Sequence, residues 1–128
     1  MILIACADDK MGMAFNKRRQ SRDIAVCEDI VNTIQGSSIW MDERSKKLFE
    51  GMTLNFVETK ETADYCFLEF TAPSGIGISP DDIILYRWNR HYPADMKFDL
   101  PLDGYTLKET TEFVGNSHEV ITKEVYAR

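Results

Sequence analysis

The sequence predicts an α/β fold with a mixed, largely parallel central sheet, two main helices and antiparallel strands at the C-terminus. ILIACA (2–7) is a continuous apolar run before a turn, as in a strand buried on both faces. From Ile24 onwards, apolar residues recur every three or four positions, which is typical of one face of a helix. YTLKETTEF (105–113) and HEVITKEVYA (118–127) largely alternate apolar and polar residues around a GNS turn, which indicates two paired strands.

Capping signals bound the first predicted helix. Ser21 is the expected N-cap, Asp23 lies where the helix dipole favours an acid, and Gly36 is the expected C-cap. A second, shorter helix is predicted in DERSKKLFEG (42–51).

Four further strands complete the predicted sheet. The chain from 71 to 82 contains two glycines and two prolines and is predicted to be a loop. The chain from 89 to 104 is predicted to be mostly irregular. Because strands alternate with helices in the first half, we expect parallel connections there and antiparallel pairing at the end. The four strands are SSIWM (37–41), TLNFVET (53–59), YCFLEF (65–70) and IILYRW (83–88).

Length and charge restrict the class of protein. With 128 residues, the chain is expected to form a single domain, 1–128. A net charge of −6 and a pI near 4.9 argue against a protein that coats nucleic acid, because that function needs a basic face. No apolar run approaches the roughly 18 residues of a membrane-spanning helix, so no membrane association is expected. The odd, widely spaced cysteines Cys6, Cys27 and Cys66 favour free thiols in a reducing, cytoplasmic compartment.

Several segments in this order resemble the dihydrofolate reductase family. ILIACADDKMGMAFN resembles that family's first strand, which runs into a glycine and an asparagine. QSRDIAVCEDI resembles its first helix, where an acid follows a loop over the substrate, and GSSIWM resembles the next strand. The C-terminal half carries two further matches, IILYRWNRHYPADMKFDLPLDGYTL and NSHEVITKEVYAR. The resemblance implies the fold of that family in a shortened, divergent form.

Three departures concern the cofactor that the family uses. KRRQ (17–20) replaces the Pro-Trp pair of the family's substrate loop, and MDERS (41–45) replaces the Gly-Arg-x-Thr turn that grips a cofactor phosphate. After YCFLEF, the family's glycine pair and the helix that follows it are missing. Close approach of a cofactor needs glycine, and Asp42 and Glu43 bring negative charge to the phosphate turn. We therefore expect no NADPH binding, no classical folate reduction and no other cofactor.

Asp23 matches the acid that holds the pterin-like ring of the substrate in the family. It is therefore a candidate catalytic and ligand-binding residue, although the helix dipole alone also favours an acid at this position. The resulting hypothesis is a binding protein for a small molecule or a protein partner, with its groove between the 12–23 loop and the helix from Ile24. Whether it catalyses a reaction stays open. The candidate ligand contacts are Asn16, Arg19, Arg22, Asp23 and Trp40.

Two basic segments support an alternative, an RNA-binding protein or a metal-independent ribonuclease. Arginines in KRRQSR (17–22) match phosphate groups, and RWNRH (87–91) places arginines beside an aromatic ring, as stacking on single-stranded bases requires. His91 with an arginine and an acid such as Asp95 could supply general acid–base catalysis. This alternative predicts that both segments meet on one face, whereas solvated loops explain each segment more simply. The candidate nucleic-acid contacts are Lys17, Arg18, Arg87 and Arg90, and the candidate catalytic residue is His91.

A metal site is not expected. The chain has two histidines, His91 and His118, and no H-x-H-x-D-H or H-E-x-x-H arrangement, so a two-histidine site would require these residues to meet. A third functional alternative is a divergent NADPH-dependent reductase with an altered phosphate grip.

Overall fold

The chain forms ten strands, two α-helices and three 3₁₀ turns, and the computed structural model describes all 128 residues. The strands are β1 (Ile2–Ala7), β2 (Gly12–Phe15), β3 (Arg18–Arg19), β4 (Ser38–Trp40), β5 (Asn55–Phe56), β6 (Tyr65–Leu68), β7 (Asp82–Arg87), β8 (Met96–Lys97), β9 (Thr106–Phe113) and β10 (Ile121–Ala127). The helices are α1 (Ile24–Ile34) and α2 (Glu43–Lys46), and the 3₁₀ turns are Lys47–Phe49, Lys60–Thr62 and Pro73–Gly75.

Seven strands form the central sheet in the order β5-β4-β6-β1-β7-β10-β9. The first five are parallel to one another, and β10 runs antiparallel to both β7 and β9. The predicted fold class, a mixed and largely parallel sheet with antiparallel C-terminal strands and two main helices, is confirmed. Neither helix is long and apolar enough to cross a lipid bilayer.

The apolar run of β1 is buried on both faces of the sheet, as its sequence predicts. Leu3 and Ala5 belong to one core cluster together with Leu85 of β7. Ile4 points to the opposite face and belongs to a second cluster that includes Ile30 of α1. Alternate side chains of a strand point to opposite faces, so a strand covered on both sides must be apolar at every position.

α1 follows the predicted apolar stripe but is capped by other residues than expected. Asp23, not Ser21, is the N-cap, and its side chain accepts a hydrogen bond from the Ala25 backbone N–H. Asp23 meets the preference of an N-cap for a short polar side chain in extended conformation. At the other end, Gln35 is the C-cap in a left-handed conformation (φ 44°), and Gly36 follows it.

A second, three-stranded sheet was not predicted. β2 pairs antiparallel with both β3 and β8, within stretches that the sequence marks as turn and irregular chain. Met13 and Ala14 of β2 are buried, so the segment before α1 is anchored to the core. The strands predicted at 53–59 and 118–127 are shorter in the structure. β5 covers only Asn55–Phe56, and β10 covers Ile121–Ala127.

Asp8 holds the second sheet and the 88–95 loop together. The buried Asp8 carboxylate accepts hydrogen bonds from the backbone N–H groups of Lys10, Gly12 and Tyr92 and from the Gln20 side chain. These contacts bring the chain just before α1 next to the chain that follows β7.

Candidate functional site

Asp23 lies at the start of α1 with its side chain fully buried. Oδ1 accepts hydrogen bonds from the backbone N–H groups of Ala25 at 3.0 Å and Asn116 at 2.7 Å. Oδ2 accepts the backbone N–H of Ser117 at 2.7 Å and contacts Nδ1 of His118 at 2.9 Å. Each carboxylate oxygen therefore has two partners within the chain, which matches its two lone pairs.

The Asp23 carboxylate is ionised in this environment. Burial alone raises the pKa of Asp23, but hydrogen bonds from the Asn116 N–H, from His118 and from the Ser117 N–H outweigh burial and lower the pKa below its ordinary value. Because the carboxylate only accepts, Nδ1 of His118 is the donor, and Nε2 of a neutral His118 is an acceptor.

His118 connects Asp23 to two hydroxyl groups. Its Nε2 lies 2.8 Å from the Tyr92 hydroxyl and 3.3 Å from the Ser21 hydroxyl. The imidazole stacks on the Trp88 ring with a centroid distance of 4.6 Å and an interplanar angle of 18°. His118 is thus held at both ring nitrogens and on one face of the ring. No group of three histidine, cysteine or acidic residues in the chain is arranged to hold a metal ion.

A cleft of about 370 Å³ opens at the start of α1. Arg22, Ile24 and Leu48 line it, together with Asp23, Cys27, Asn116 and Ser117. Arg22 and Ile24 are exposed, so this cleft can hold a small molecule by contacts other than the occupied Asp23 oxygens.

A second cleft, of about 440 Å³, is lined by four cations and one aromatic ring, and we call it the basic cleft. Its lining residues are Arg18, Arg19, Arg44, Lys47 and Phe70. The Arg44 guanidinium lies 3.6 Å from the Phe70 ring centroid, and Arg44 Nη1 donates to the Lys17 carbonyl oxygen at 2.7 Å. Neither Arg18 nor Lys47 forms an ion pair. Two of the four cations that line the basic cleft, Arg18 and Lys47, therefore have no acidic partner.

Arg19 connects the basic cleft to a polar network that does not line it. Arg19 donates through Nε and Nη2 to both oxygens of Glu69, each at 3.0 Å. Glu69 also accepts the Ser45 hydroxyl at 2.7 Å, and the Glu69 side chain is only 10% exposed. Asp42 caps α2 by accepting the Ser45 N–H at 2.8 Å. Glu69 and Phe70 stand directly after β6 and end the YCFLEF segment, after which the family resemblance implies a pair of glycines.

KRRQSR (17–22) contacts the two residues that directly follow RWNRH (87–91). Gln20 donates to the Pro93 carbonyl oxygen at 3.4 Å, and the Tyr92 and Ser21 hydroxyls lie 3.3 Å apart. A further cleft of about 290 Å³ at this contact is lined by Phe15, Asn16, Arg18, Arg19, Gln20, Tyr92 and Pro93, and by no residue of 87–91. It shares Arg18 and Arg19 with the basic cleft.

The predicted nucleic-acid contacts differ in accessibility. Arg87 points into the structure, where Nη1 lies 3.6 Å from a Glu124 oxygen and Nη2 donates to the Asp8 carbonyl oxygen at 3.3 Å. Lys17, Arg18 and Arg90 are exposed. His91 is also exposed and lines a separate cleft of about 230 Å³ with Lys10 and Lys97 among its walls.

The five predicted ligand contacts do not meet in one place. Asn16 and Arg19 share one cleft, Arg22 and Asp23 share another, and Trp40 lines neither. Trp40 lies in β4 with the Lys60 ammonium 5.0 Å above its ring. Asn16 itself has a left-handed backbone conformation, and its backbone N–H donates to Asp95 at 3.0 Å.

Sequence reasoning missed several residues of these sites. Arg44 and Lys47 lie in a segment whose sequence indicates only a short surface helix. Phe70 ends an apolar run that indicates only a buried strand. The contacts of Ser21 with His118 and with Tyr92 cannot be inferred from the sequence, because they join positions 97 and 71 residues apart. A mixed cation and aromatic content near the C-terminal ends of parallel strands was the one available hint.

The sequence matches no protein-family model and no curated protein. Among solved structures, dihydrofolate reductase from Enterococcus faecalis, in complex with NADP(H) and RAB-propyl, is similar with a TM-score of 0.65. The sequences are 9% identical, and the match covers 99% of this chain and 95% of that chain. At this identity the likeness concerns the fold alone. The chain therefore has a dihydrofolate-reductase-like fold.

Proposed function

We propose that this protein binds a small anionic molecule in the basic cleft beside the 12–23 loop and does not carry out classical NADPH-dependent folate reduction. The observation that carries the proposal is the pair of unpaired cations, Arg18 and Lys47, which share a cleft with Arg44 on an otherwise acidic protein. Guanidinium groups match phosphate and carboxylate oxygens bidentately, and a local basic cleft concentrates anions. The phosphate or carboxylate of the ligand would contact Arg18, Arg44 and Lys47.

The surroundings of Glu69 support the absence of classical NADPH binding. Its carboxylate bridges Arg19 and Ser45, and the Phe70 ring beside it is covered by Arg44. A carboxylate and a bulky side chain at this turn oppose the close backbone approach that a dinucleotide phosphate needs. These residues do not fit the cofactor that the fold family uses.

The hydrogen bonds of Asp23 support the absence of classical folate reduction. Both of its oxygens already have two partners within the chain. A substrate ring would have to displace backbone N–H groups of Asn116 and Ser117 to reach it. Breaking such charge-assisted hydrogen bonds costs more than breaking neutral ones.

A thermal-shift titration tests the proposal. The probes are AMP, NADPH and dihydrofolate, each at low and moderate salt. A ligand at 100 times its Kd stabilises by about 2.7 kcal/mol, which raises Tm by several degrees in a domain of this size. We expect a salt-sensitive shift with AMP and none with dihydrofolate. A salt-insensitive shift with NADPH or dihydrofolate would instead support the divergent reductase.

A double variant, Arg18→Gln with Lys47→Gln, locates the site. We expect it to lose the AMP shift. Lys108→Gln is the matched control, because Lys108 is an exposed cation of β9 outside every cleft described above. Equal shifts in the double variant and the control would rule out the basic cleft as the binding place.

Single-stranded RNA is the second candidate ligand. The observation that favours it is the continuity of the two clefts through Arg18 and Arg19, which places Phe15, Phe70 and Tyr92 along one basic surface. Phe15 is 50% exposed, and exposed aromatic rings between cations are suited to base stacking. The exposed Arg90 lies 6.0 Å from the Tyr92 ring centroid and extends this surface.

Fluorescence anisotropy with labelled oligouridylate separates RNA from a small anion. If RNA is the ligand, log Kobs falls with log salt at a slope near −0.7 per phosphate contact, and several contacts give a steep line. The RNA alternative would be excluded if AMP and the oligonucleotide bound with the same Kd and if the affinity did not rise with oligonucleotide length.

The three free cysteines are consistent with the proposed cytoplasmic location.

A further inference from the structure

The contacts of His118 place a carboxylate, an imidazole and a hydroxyl in series. Asp23 Oδ2 lies 2.9 Å from Nδ1, and Nε2 lies 3.3 Å from Ser21 Oγ. An acid that orients a histidine beside a serine is the arrangement that activates serine as a nucleophile. The three residues come from the chain before α1 and from the turn between β9 and β10, so no sequence motif joins them.

The histidine in this series is held rigidly. Asp23 is fixed by three backbone N–H groups, and His118 is stacked on Trp88 at 4.6 Å. Because Nδ1 donates to Asp23, the lone pair of neutral His118 lies on Nε2, which faces the hydroxyls. A general base needs this combination of fixed tautomer and fixed orientation.

Tyr92 supplies a second hydroxyl at the same point. Its oxygen lies 2.8 Å from His118 Nε2, 3.3 Å from Ser21 Oγ and 3.4 Å from Arg90 Nη1. At rest Tyr92 competes with Ser21 for the Nε2 lone pair. When Nε2 takes the serine proton it stops accepting, so the Tyr92 O–H becomes free to donate to an oxyanion beside Ser21.

Asp23 and His118 are buried, whereas Ser21 is partly exposed and is the group that a ligand would reach. Ser21 is half-buried, and His118 lines a cleft of about 380 Å³ with Trp88 and Arg90 among its walls. Arg22, next to Ser21, lines the cleft at the start of α1. The backbone N–H of Arg22 makes no hydrogen bond within the chain. In hydrolases the N–H after the nucleophile serves as an oxyanion donor, so Arg22 has that group available.

We propose that Ser21 is a nucleophile, activated by His118, that cleaves small carboxylic esters. Ser21 Oγ attacks the ester carbon while its proton moves to His118 Nε2. The C–O bond to the leaving alcohol then breaks, and the alcohol takes that proton, which leaves an acyl group on Ser21. Water then attacks the acyl carbon while its proton moves to Nε2, the bond from that carbon to Ser21 Oγ breaks, and Oγ takes the proton back from Nε2, which releases the carboxylic acid and the free serine. Asp23 is a positioning residue that acts through His118. This inference does not depend on the ligand of the basic cleft.

Covalent labelling with an alkyl fluorophosphonate tests the inference on the whole protein. Ser21 Oγ would form a P–O bond as the P–F bond breaks, and the serine proton would leave with fluoride. We expect intact-mass analysis to find one adduct and peptide mapping to place it on Ser21. Hydrolysis of p-nitrophenyl acetate should be abolished once the adduct has formed.

Variants separate a reactive serine from a structural one. We expect Ser21→Ala to lose the adduct and the esterase activity, and His118→Gln to slow labelling at least about 100-fold, the size of a general-base contribution. The control is Ser37→Ala, because Ser37 is also half-buried but lies far from both histidines in the fold, beside β4. The control should label at the wild-type rate.

The result on Ser21→Ala decides the question even if His118→Gln fails to fold. Removing one hydroxyl from a half-buried serine leaves the packing of His118 on Trp88 in place. An undiminished adduct in folded Ser21→Ala, or no adduct on Ser21 in the wild type, would overturn the inference. Labelling of Ser21 at the same rate in folded His118→Gln would overturn the role of His118.

Discussion

The Asp23 carboxylate and the cations of the basic cleft come from neighbouring stretches of chain, but their surroundings are opposite. Asp23 is fully buried, and four hydrogen bonds from the protein satisfy it. Arg18 and Lys47 line an open cleft and have no acidic partner. The loop from 115 to 118 closes over the acid, whereas nothing closes over the cations.

The charged groups in the two regions have different roles, because one is buried and paired and the others are open and unpaired. A buried carboxylate costs free energy unless every lone pair is occupied, so the protein supplies N–H groups and an imidazole to Asp23. Exposed cations need no such compensation, so Arg18 and Lys47 add little to folding and remain available to an anion. Substitutions around Asp23 should therefore lower the stability of the fold, whereas substitutions in the basic cleft should weaken ligand binding.

Asp23→Asn should give the largest loss of stability. The amide keeps the shape of the side chain but places an NH₂ group against the N–H donors of the 116–117 turn. Whichever way the amide is turned, two donors lose a charged acceptor, and each such loss costs about 1–3 kcal/mol or more. The free energy of unfolding in urea measures it, and Asp95→Asn is the control because Asp95 is an exposed acid with one backbone contact. Equal midpoints for the two variants would show that the Asp23 contacts contribute nothing.

Gly115→Ala should cost less, about 1–3 kcal/mol, the usual range for overpacking a filled site. A Cβ at Gly115 would lie 2.6 Å from Asp23 Oδ2 and 2.6 Å from the His118 backbone oxygen, so the 115–118 loop would have to move. Gly104→Ala is the matched control, since a Cβ there meets nothing within 4 Å. Chemical denaturation of both variants measures the difference in their free energies of unfolding. A Gly115→Ala protein as stable as the control would mean that the 115–118 loop is not tightly packed against Asp23.

The sequence predicts the regular part of this molecule well, for physical reasons that particular elements make clear. β1 is apolar at every position because helices and loops cover both faces of the sheet, and α1 repeats its apolar residues every three or four positions. Burial imposes these periods directly on the sequence. β2, β3 and β8 are two to four residues long and show no period, so their sheet depends on pairing partners that sequence patterns do not identify.

The sites follow the same division. Asp23 was singled out because a family resemblance and a helix start both point to it. Its partners Asn116, Ser117 and His118 lie 93 to 95 residues away, and backbone N–H groups leave no trace in residue type. Arg44 and Phe70 likewise meet only because β4 and β6 are adjacent parallel strands. Contacts of this kind become visible only when the fold is known.

Acid should weaken the Asp23 region. The pKa of Asp23 is lowered in the folded protein, because its hydrogen bonds outweigh burial, so the unfolded chain takes up the proton at higher pH than the folded one. The stability that Asp23 contributes is complete above its unfolded pKa, near ~3.9, and is lost as the pH falls through the folded value. Asp8 behaves in the same direction. Urea unfolding between pH 7 and pH 3, with NMR titration of the carboxyl carbons, measures this. A free energy that stays level to pH 3 would contradict it.

Charge removal in the basic cleft should have the smallest effect on stability. Arg18→Gln and Lys47→Gln remove cations that form no ion pair, so each should change the free energy of unfolding by less than about 0.5 kcal/mol. Arg44→Gln should cost more, because Arg44 stacks on Phe70 at 3.6 Å and donates to the Lys17 carbonyl oxygen. Such stacking contributes about 0.5–1 kcal/mol at exposed sites. If Arg18→Gln proved as costly as Arg44→Gln, Arg18 would serve the fold, and the distinction between a closed acid and an open basic cleft would fail.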